Sequence, residues 1–249
     1  MPVPLIIGHR GGCAVAPENT IAAFRQALAV GADGIEFDVR LTRDGVPVII
    51  HDSTLRRTGG LPHRVADLTW AEISKVDVGS WFARSFANQT VPSLAELFTL
   101  FQSNNSTLYL EMKCDSAAEH RPLAEACLRL IDEYSLRDRV IIECFQLPAL
   151  KILKEIDPEI KTVALFEPTF TNFSVFSDQR VIKHAADVGA VALALHRRLV
   201  RESLVQTAKL AGLHVAVWTV EDPSWIERAR AIGIDALITK NPAAMLAHR

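Results

Sequence analysis

The stretch Ala190-Val-Ala-Leu-Ala-Leu195 is followed along the chain by His214-Val-Ala-Val-Trp218 and Ala236-Leu-Ile-Thr239. All three runs are short and apolar, as buried strands are. The segments between them, residues 202–211 and 223–231, carry apolar residues at the spacing of amphipathic helices. Strands and helices that alternate in this way build βαβ units, so this part of the chain predicts a parallel sheet.

The same alternation runs through the rest of the chain. The predicted strands are Leu5–Ile7, Gly34–Val39, Leu108–Met112, Val140–Cys144, Lys161–Leu165, Ala190–Leu195, His214–Trp218 and Ala236–Thr239. The predicted helices are Thr20–Val30, Ser93–Phe101, Ala117–Tyr134, Leu147–Ile156, Asp178–Ala186, Glu202–Ala211 and Pro223–Ala231. Eight strands with seven or eight helices favour a (β/α)8 TIM barrel over an open doubly wound sheet, which usually has about six strands.

The chain has 249 residues, a length at which α/β barrels commonly form one unit. The segment from about residue 52 to residue 92 interrupts the alternation with Gly59-Gly60 and Pro62. We therefore predict a single domain over residues 1–249 that contains a small insertion after the second strand region.

Composition excludes several classes of protein. Hydrophobic residues make up 49% and charged residues 22% of the chain, which is typical of a globular protein and not of a disordered or collagen-like one. Its 27 basic and 29 acidic residues give a net charge of −2, so no general basic field attracts nucleic acid or anionic lipid.

The N-terminal residues and the cysteines bear on the compartment. The apolar run that begins the chain has no basic flank and stops at His9-Arg10, which is too short for a signal peptide or a membrane span. The four cysteines fit neither a CxxC metal site nor a dense disulfide framework. We expect a cytoplasmic protein without stable membrane association, and assembly into a homo-oligomer stays open.

Two acidic residues share one face of a predicted strand. In Gly34-Ile-Glu-Phe-Asp-Val-Arg40 the period of two places Glu36 and Asp38 together, opposite the apolar side chains. Strands of parallel sheets are normally apolar on both faces, so these carboxylates are costly to bury unless something offsets their charge. The alternative is an exposed edge strand.

A third carboxylate follows the same pattern. In Leu108-Tyr-Leu-Glu-Met-Lys113, Glu111 and Lys113 lie on the face opposite the apolar residues. Three converging carboxylates with oxygen ligands only point to Mg²⁺ or Ca²⁺ bound by Glu36, Asp38 and Glu111. The alternative is that Arg10 and Lys113 are purely internal counter-ions.

Two histidines follow predicted strands or apolar runs. His9 comes directly after the first strand, and His51 ends the run Val46–Ile50. Because both would lie at the mouth of the barrel, they suggest a general acid and a general base beside an anionic substrate, whose phosphate Arg10 and Lys113 would hold. The remaining histidines are predicted at the surface or in packing positions: His63, His120, His184, His196, His214 and His248.

An ordered set of motifs spans nearly the whole chain. It comprises His9-Arg-Gly-Gly12, Ala16-Pro-Glu-Asn-Thr20, Glu36-Phe-Asp38, Asp44-Gly-x-Pro-Val48, His51-Asp52, Leu55-x-Arg-Thr58, Glu111-x-Lys113 and Val217-Trp-Thr-Val220. In order and spacing this set resembles the glycerophosphodiester phosphodiesterases, most of all their short cytoplasmic bacterial members.

The resemblance implies a (β/α)8 barrel that hydrolyses glycerophosphodiesters to glycerol 3-phosphate and an alcohol. It implies that His9 and His51 act as general acid and base, in an order that the sequence leaves open. It also implies a cation on Glu36, Asp38 and Glu111, with Arg10 and Lys113 on the phosphate. Phe145 and Trp218 would border the substrate, although ordinary barrel packing is an equal alternative for Trp218.

Some positions leave alternatives open. Glu18 and Asn19 would support the site, yet Asn19 before Thr20 is also a good helix N-cap. Thr239-Lys-Asn-Pro242 differs from the family pattern, which is usually Thr-Asp-x-Pro. Lys240 would therefore alter substrate preference or the packing of the last helix. Two rival functions remain, a phospholipase-like lyase that releases a cyclic phosphate and a catalytically inactive phosphodiester sensor.

Overall fold

The strands form one continuous sheet in a computed structural model that describes residues 3–168 and 177–249. In chain order they are β1 (Leu5–His9), β2 (Gly34–Leu41), β3 (Pro47–Ile49), β4 (Thr107–Met112), β5 (Val140–Cys144), β6 (Thr162–Phe166), β7 (Ala192–His196), β8 (His214–Trp218) and β9 (Ala236–Thr239).

Eight of these strands close into a parallel barrel. The hydrogen-bonded order is β1-β9-β8-β7-β6-β5-β4-β2, and β2 pairs with β1 to complete the ring. The ninth, β3, pairs antiparallel with β2 at the mouth. The predicted (β/α)8 barrel is confirmed, and the predicted strand ends differ from the observed ones by two residues or fewer because strand ends carry the weakest pattern.

Helices surround the barrel. They are α1 (Ile21–Ala29), α2 (Arg56–Gly59), α3 (Trp70–Ile73), α4 (Leu94–Phe101), α5 (His120–Glu133), α6 (Leu147–Ile156), α7 (Asp178–Asp187), α8 (Glu202–Leu210), α9 (Ser224–Ile232) and α10 (Pro242–Leu246). The Ser93 hydroxyl and the Glu96 carboxylate form a capping box at the start of α4. No helix in residues 3–168 and 177–249 is long and apolar enough to cross a bilayer.

The alternation of side chains along each strand separates two apolar layers. One side packs against the helices, as Phe37 of β2 does against Phe24 of α1. The other side fills the barrel interior with a smaller cluster that includes Ile7, Tyr109 and Leu165. The inward-facing charged side chains Glu36, Glu111 and Glu143 lie beyond this cluster, towards the barrel mouth.

The segment between β3 and α4 has a small core of its own. Leu55, Ile73 of α3 and Val91 are buried there in one cluster with Val48 of β3. This is the segment predicted as an insertion, and its residues come to one side of the mouth because β3 pairs with β2. That the chain is a single domain stays a prediction.

Gly34 lies where two strands approach most closely. A Cβ atom at this position would lie 2.2 Å from the backbone oxygen of Thr107. We therefore expect Gly34→Ala to lower the free energy of unfolding by about 3 kcal/mol, measured by urea denaturation. Gly212→Ala meets open space at a φ of +77° and should cost only about 1 kcal/mol. Equal losses for the two variants would contradict this steric explanation.

Candidate active site

The predicted site residues meet at the C-terminal mouth of the barrel. A cavity of about 430 Å³ opens there, between the ends of the strands. Its walls contain eight of the eleven residues singled out in the sequence: His9, Arg10, Glu36, His51, Glu111, Lys113, Phe145 and Trp218. The other three, Asp38, Glu18 and Asn19, lie behind this wall and contact residues that form it.

Three buried carboxylates converge in the cavity. Glu36, Glu111 and Glu143 each place a carboxylate oxygen within 4.8 Å of the other two. They come from β2, β4 and β5, and Glu111 and Glu143 are directly opposite each other in the sheet register. β2 has a strand on each side, and Glu36 and Asp38 are 2% and 1% exposed. The alternative of an exposed edge strand is therefore wrong.

The electrostatics of this cluster fit a divalent cation. Burial raises the pKa of Glu36 well above its usual range, and the charges of neighbouring carboxylates raise it further. The pKa of Glu143 is raised for the same reasons, and that of Glu111 is raised to about 7. Oε2 of Glu143 is buried without a hydrogen-bond partner among the described residues. A hard cation would satisfy these oxygens and restore the charged forms.

Asp38 has different surroundings from the other acidic residues. Its carboxylate lies 3.3 Å from Nε of Arg10 and 3.2 Å from Nζ of Lys113, and it accepts a 2.7 Å hydrogen bond from the side chain of Asn19. Burial would raise the pKa of Asp38, but Lys113 and Arg10 outweigh it and hold the pKa far below its usual range. Lys113 also pairs with Glu111, at 2.6 Å, so the counter-ion interpretation describes Asp38 fully and Glu111 in part. The role of Asp38 as a metal ligand stays a prediction.

Arg10 is held in a strained backbone conformation. Its φ is +50°, a left-handed value unusual for a residue with a side chain, and its backbone N–H donates to the carboxylate of Glu36 at 2.9 Å. The guanidinium also donates to Glu18 at 2.7 Å. The structure thus fixes Arg10 from three sides, with its side chain in the cavity wall.

Asn19 is hydrogen-bonded to Asp38 and does not start a helix. Thr20 is the N-cap of α1, because its hydroxyl accepts from the backbone N–H of Ala23. The predicted N-cap at Asn19 is therefore wrong. With a φ of +57°, Asn19 turns its amide towards Asp38, a direction that an extended N-cap residue does not take.

His51 belongs to a chain of polar contacts. Its Nδ1 lies 2.7 Å from Oδ1 of Asp52, and Oδ2 of Asp52 accepts a 2.7 Å hydrogen bond from Nε of Arg57. Burial would raise the pKa of Asp52, but the hydrogen bonds from Arg57 and His51 lower it to about 2. An ionised Asp52 only accepts hydrogen bonds, so Nδ1 of His51 carries a proton and Nε2 is left to exchange one with a substrate.

His9 lies on the other side of the acidic cluster. Its Nε2 is 3.7 Å from the carboxylate of Glu36, and its Nδ1 is 3.7 Å from Sγ of Cys13. Burial and the positive charge of Arg10 lower the pKa of His9 to about 3. Burial likewise lowers the pKa of His51, so both imidazoles are neutral at pH 7.

An aromatic pair closes the cavity beyond the charged groups. The rings of Phe145 and Trp218 meet edge to face with centroids 5.5 Å apart, and Nζ of Lys113 lies 5.7 Å from the centre of the Phe145 ring. The indole N–H of Trp218 donates to the backbone oxygen of Ala194. Trp218 therefore both lines the cavity and packs within the barrel.

Comparison with known proteins decides the family. The family model described as the glycerophosphoryl diester phosphodiesterase family matches residues 9–244. The chain belongs to this family. This membership confirms the resemblance and the enzyme class that the sequence predicted.

Individual members of the glycerophosphoryl diester phosphodiesterase family match over almost their full length. A glycerophosphodiester phosphodiesterase of Caldanaerobacter subterraneus subsp. tengcongensis is 34% identical over 97% of this chain and 96% of its own. Another, from Bacillus subtilis, is 28% identical over 96% of this chain and 84% of its own. The solved structure of an Oleispira antarctica phosphodiesterase, in complex with the product sn-glycerol-3-phosphate, is 27% identical with a TM-score of 0.87, covering 99% and 96% of the two chains.

Several residues of this phosphodiesterase site were missed in the sequence. Glu143 follows the rule that found Glu36, since it alternates with the apolar Ile142 and Cys144 on β5. Glu167, just beyond β6, also lines the cavity. Asp52 and Arg57 stand within quoted motifs, but only the fold shows that Arg57 binds both Asp52 and Glu18.

The remaining histidines are outside the cavity. His120 is buried and hydrogen-bonded to Gln146, and His196 packs edge to face against Trp218. The side chains of His63, His184 and His214 are exposed. The structure thus places these five, and the exposed His248, at the surface or in packing positions, as the sequence predicted.

Proposed function

We propose that this protein hydrolyses glycerophosphodiesters to glycerol 3-phosphate and an alcohol, using His9 and His51 as general acid and base and a divalent cation, Mg²⁺ or Ca²⁺. One observation carries the proposal. A single cavity brings two neutral histidines, two cationic side chains and a buried carboxylate cluster within reach of one small substrate. Each group has a distinct task in the cleavage of a phosphodiester.

The phosphate of the substrate would lie between Arg10 and Lys113. Both side chains line the cavity, and each is already oriented by Asp38, at 3.3 and 3.2 Å. Burial lowers the pKa of Lys113, but Asp38 and Glu111 outweigh it and raise the pKa, so the ammonium group keeps its charge. Preoriented cations of this kind stabilise the charge that develops on the phosphoryl oxygens.

Glu36 and Glu111, together with Asp38 or Glu143, would hold the cation. When bound, it would supply positive charge next to a phosphoryl oxygen and lower the pKa of the attacking hydroxyl. Among the described residues, Oε2 of Glu143 is buried without a hydrogen-bond partner, which favours Glu143 as a ligand.

The histidines move the protons. One imidazole removes the proton from the attacking water while the water oxygen bonds to phosphorus. The other imidazole must first take up a second proton from solvent, and it donates this proton to the alcohol oxygen as the bond between that oxygen and phosphorus breaks. Asp52 stabilises the protonated form of His51 through the hydrogen bond at Nδ1, so the proton is exchanged at Nε2.

The proposal includes the setting of the reaction. The substrate is a small water-soluble diester, the enzyme acts in the cytoplasm, and neither nucleic acid nor a membrane is a stable partner. The net charge of −2 supports the first exclusion. Assembly into a homo-oligomer stays a prediction.

The first test is release of glycerol 3-phosphate from glycerophosphocholine by protein treated with EDTA, before and after addition of Mg²⁺ or Ca²⁺. We expect release only after addition of a cation. A cyclic phosphate as the final product, identified by phosphorus NMR, would instead indicate a lyase. Tight binding without turnover in saturating cation would indicate a sensor and contradict the proposal.

A further inference from the structure

A second cavity of about 460 Å³ adjoins the first. Three residues, His9, Arg10 and Trp218, line both cavities, so they form a common wall. The second cavity lies over the β1, β8 and β9 ends of the barrel, away from the carboxylate cluster. Its further walls are formed by Cys13, Glu18, Thr219 and Lys240.

Of the charged groups on these walls, Glu18 is strongly paired and Lys240 only weakly. Glu18 accepts hydrogen bonds from Arg10 and Arg57, each at 2.7 Å, so its negative charge is already neutralised. Lys240 is half exposed, and its ion-pair partner among the described residues is Glu221, at 3.9 Å. That distance is longer than a hydrogen bond, and both side chains are about half exposed, so the pair is weak.

The common wall sets where the two parts of a diester lie. Arg10 and His9 are the groups expected on the phosphate and on one of its ester oxygens, and both face the two cavities. A diester whose phosphate contacts Arg10 therefore extends one part into each cavity. The first cavity contains the acidic cluster, and the second contains the ammonium group of Lys240.

We propose that Lys240 determines substrate specificity by binding a negatively charged group on the alcohol part of the diester, so that the preferred substrates carry a carboxylate or a second phosphate there. This inference rests on the proposed function. A quaternary ammonium group would find no unpaired acidic side chain on this wall, because Glu18 is bound by two guanidinium groups. An anionic group would replace the weak contact of Lys240 with Glu221.

Two diesters that differ by one carboxylate provide the test. Glycerophosphoserine carries a carboxylate that glycerophosphoethanolamine lacks, and the two are otherwise alike. We expect kcat/KM, measured with saturating cation, to favour the serine diester. Lys240→Gln should lower the ratio of the two kcat/KM values about fivefold, the size expected when an accessible ion pair is lost. Glu221→Gln should raise this ratio, because it removes the competing carboxylate.

A matched control removes a lysine elsewhere. Lys183 pairs with Asp187 on α7, so Lys183→Gln deletes the same charge without touching either cavity, and the ratio should not change. If both diesters are hydrolysed and Lys240→Gln leaves their ratio as it is in the unmodified protein, the inference is overturned while the proposed function stands. If neither diester is hydrolysed, the proposed function fails and this inference fails with it.

Discussion

Replacing either His9 or His51 by glutamine should lower kcat for glycerophosphodiester hydrolysis by about 10²- to 10⁴-fold, because each variant removes one of the two proton transfers. Glutamine keeps the size and polarity of the side chain but cannot exchange a proton. The measurement is release of glycerol 3-phosphate under saturating substrate and cation. The double variant should lose little more than either single variant, since both groups act in the same reaction.

His63→Gln is the control for these variants. His63 is exposed and lies in the inserted segment, outside both cavities, so its replacement should leave kcat unchanged. Circular dichroism and melting temperatures would establish that all three variants fold. Near-normal turnover by a folded His9→Gln or His51→Gln protein would refute the assigned role of that histidine.

Binding of a divalent cation should raise the melting temperature by roughly 5–10 °C at a concentration about 100 times its dissociation constant. The cation offsets the mutual repulsion of Glu36, Glu111 and Glu143, which are buried within 4.8 Å of one another. Scanning fluorimetry of EDTA-treated protein with and without Mg²⁺ or Ca²⁺ measures this shift independently of catalysis.

The same cluster predicts a pH dependence for the metal-free protein. The folded-state pKa values of these glutamates are raised, to about 7 for Glu111, so the folded state keeps protons that the unfolded state has already released. Stability therefore falls as the pH rises above about 4.5, the unfolded-state pKa of a glutamate, and the contribution of Glu111 is lost by about pH 7. Burial lowers the folded-state pKa of His9 and His51, which acts in the opposite direction below about pH 6.5, so the glutamate contribution is measured as a difference between variants.

Glu143→Gln separates these two effects from general changes in charge. The amide keeps the shape of the side chain but removes one carboxylate, so both the fall with pH and the shift on adding cation should become smaller. Glu227→Gln, on an exposed side chain of α9, serves as the control and should behave like the unmodified protein. A cation shift that Glu143→Gln leaves intact would show that Glu143 is not a ligand.

The barrel could be predicted because its signal is repeated along the chain. Val140–Cys144, His214–Trp218 and Ala236–Thr239 are predicted with their observed bounds, since each is a short and mostly apolar run. The ends of β1 and β2 were predicted two residues short. His9 and Arg40 continue these strands, but polar side chains at a barrel mouth carry no apolar pattern that would reveal it.

The site could be predicted only in part, for a related reason. Glu36, Asp38 and Glu111 are recognisable because acidic residues are unusual within apolar strands. The sequence groups the three together, whereas the structure places Asp38 against Arg10 and Lys113 and brings Glu143 to the other two. The partner of each carboxylate depends on how far its strand is shifted relative to the neighbouring strands. The spacing of residues along one strand does not contain that information.

The four charged hydrogen bonds of Arg57 limit how the inserted segment can be replaced by that of a related protein. This side chain belongs to α2, yet it joins Glu18, which holds Arg10, to Asp52, which holds His51. The inserted segment between β3 and α4 therefore cannot be exchanged between relatives without regard to the barrel that receives it. A chimera that imports this region inherits the alignment of two functional side chains from its donor, so the donor and the host barrel must agree at the positions of Glu18 and Asp52.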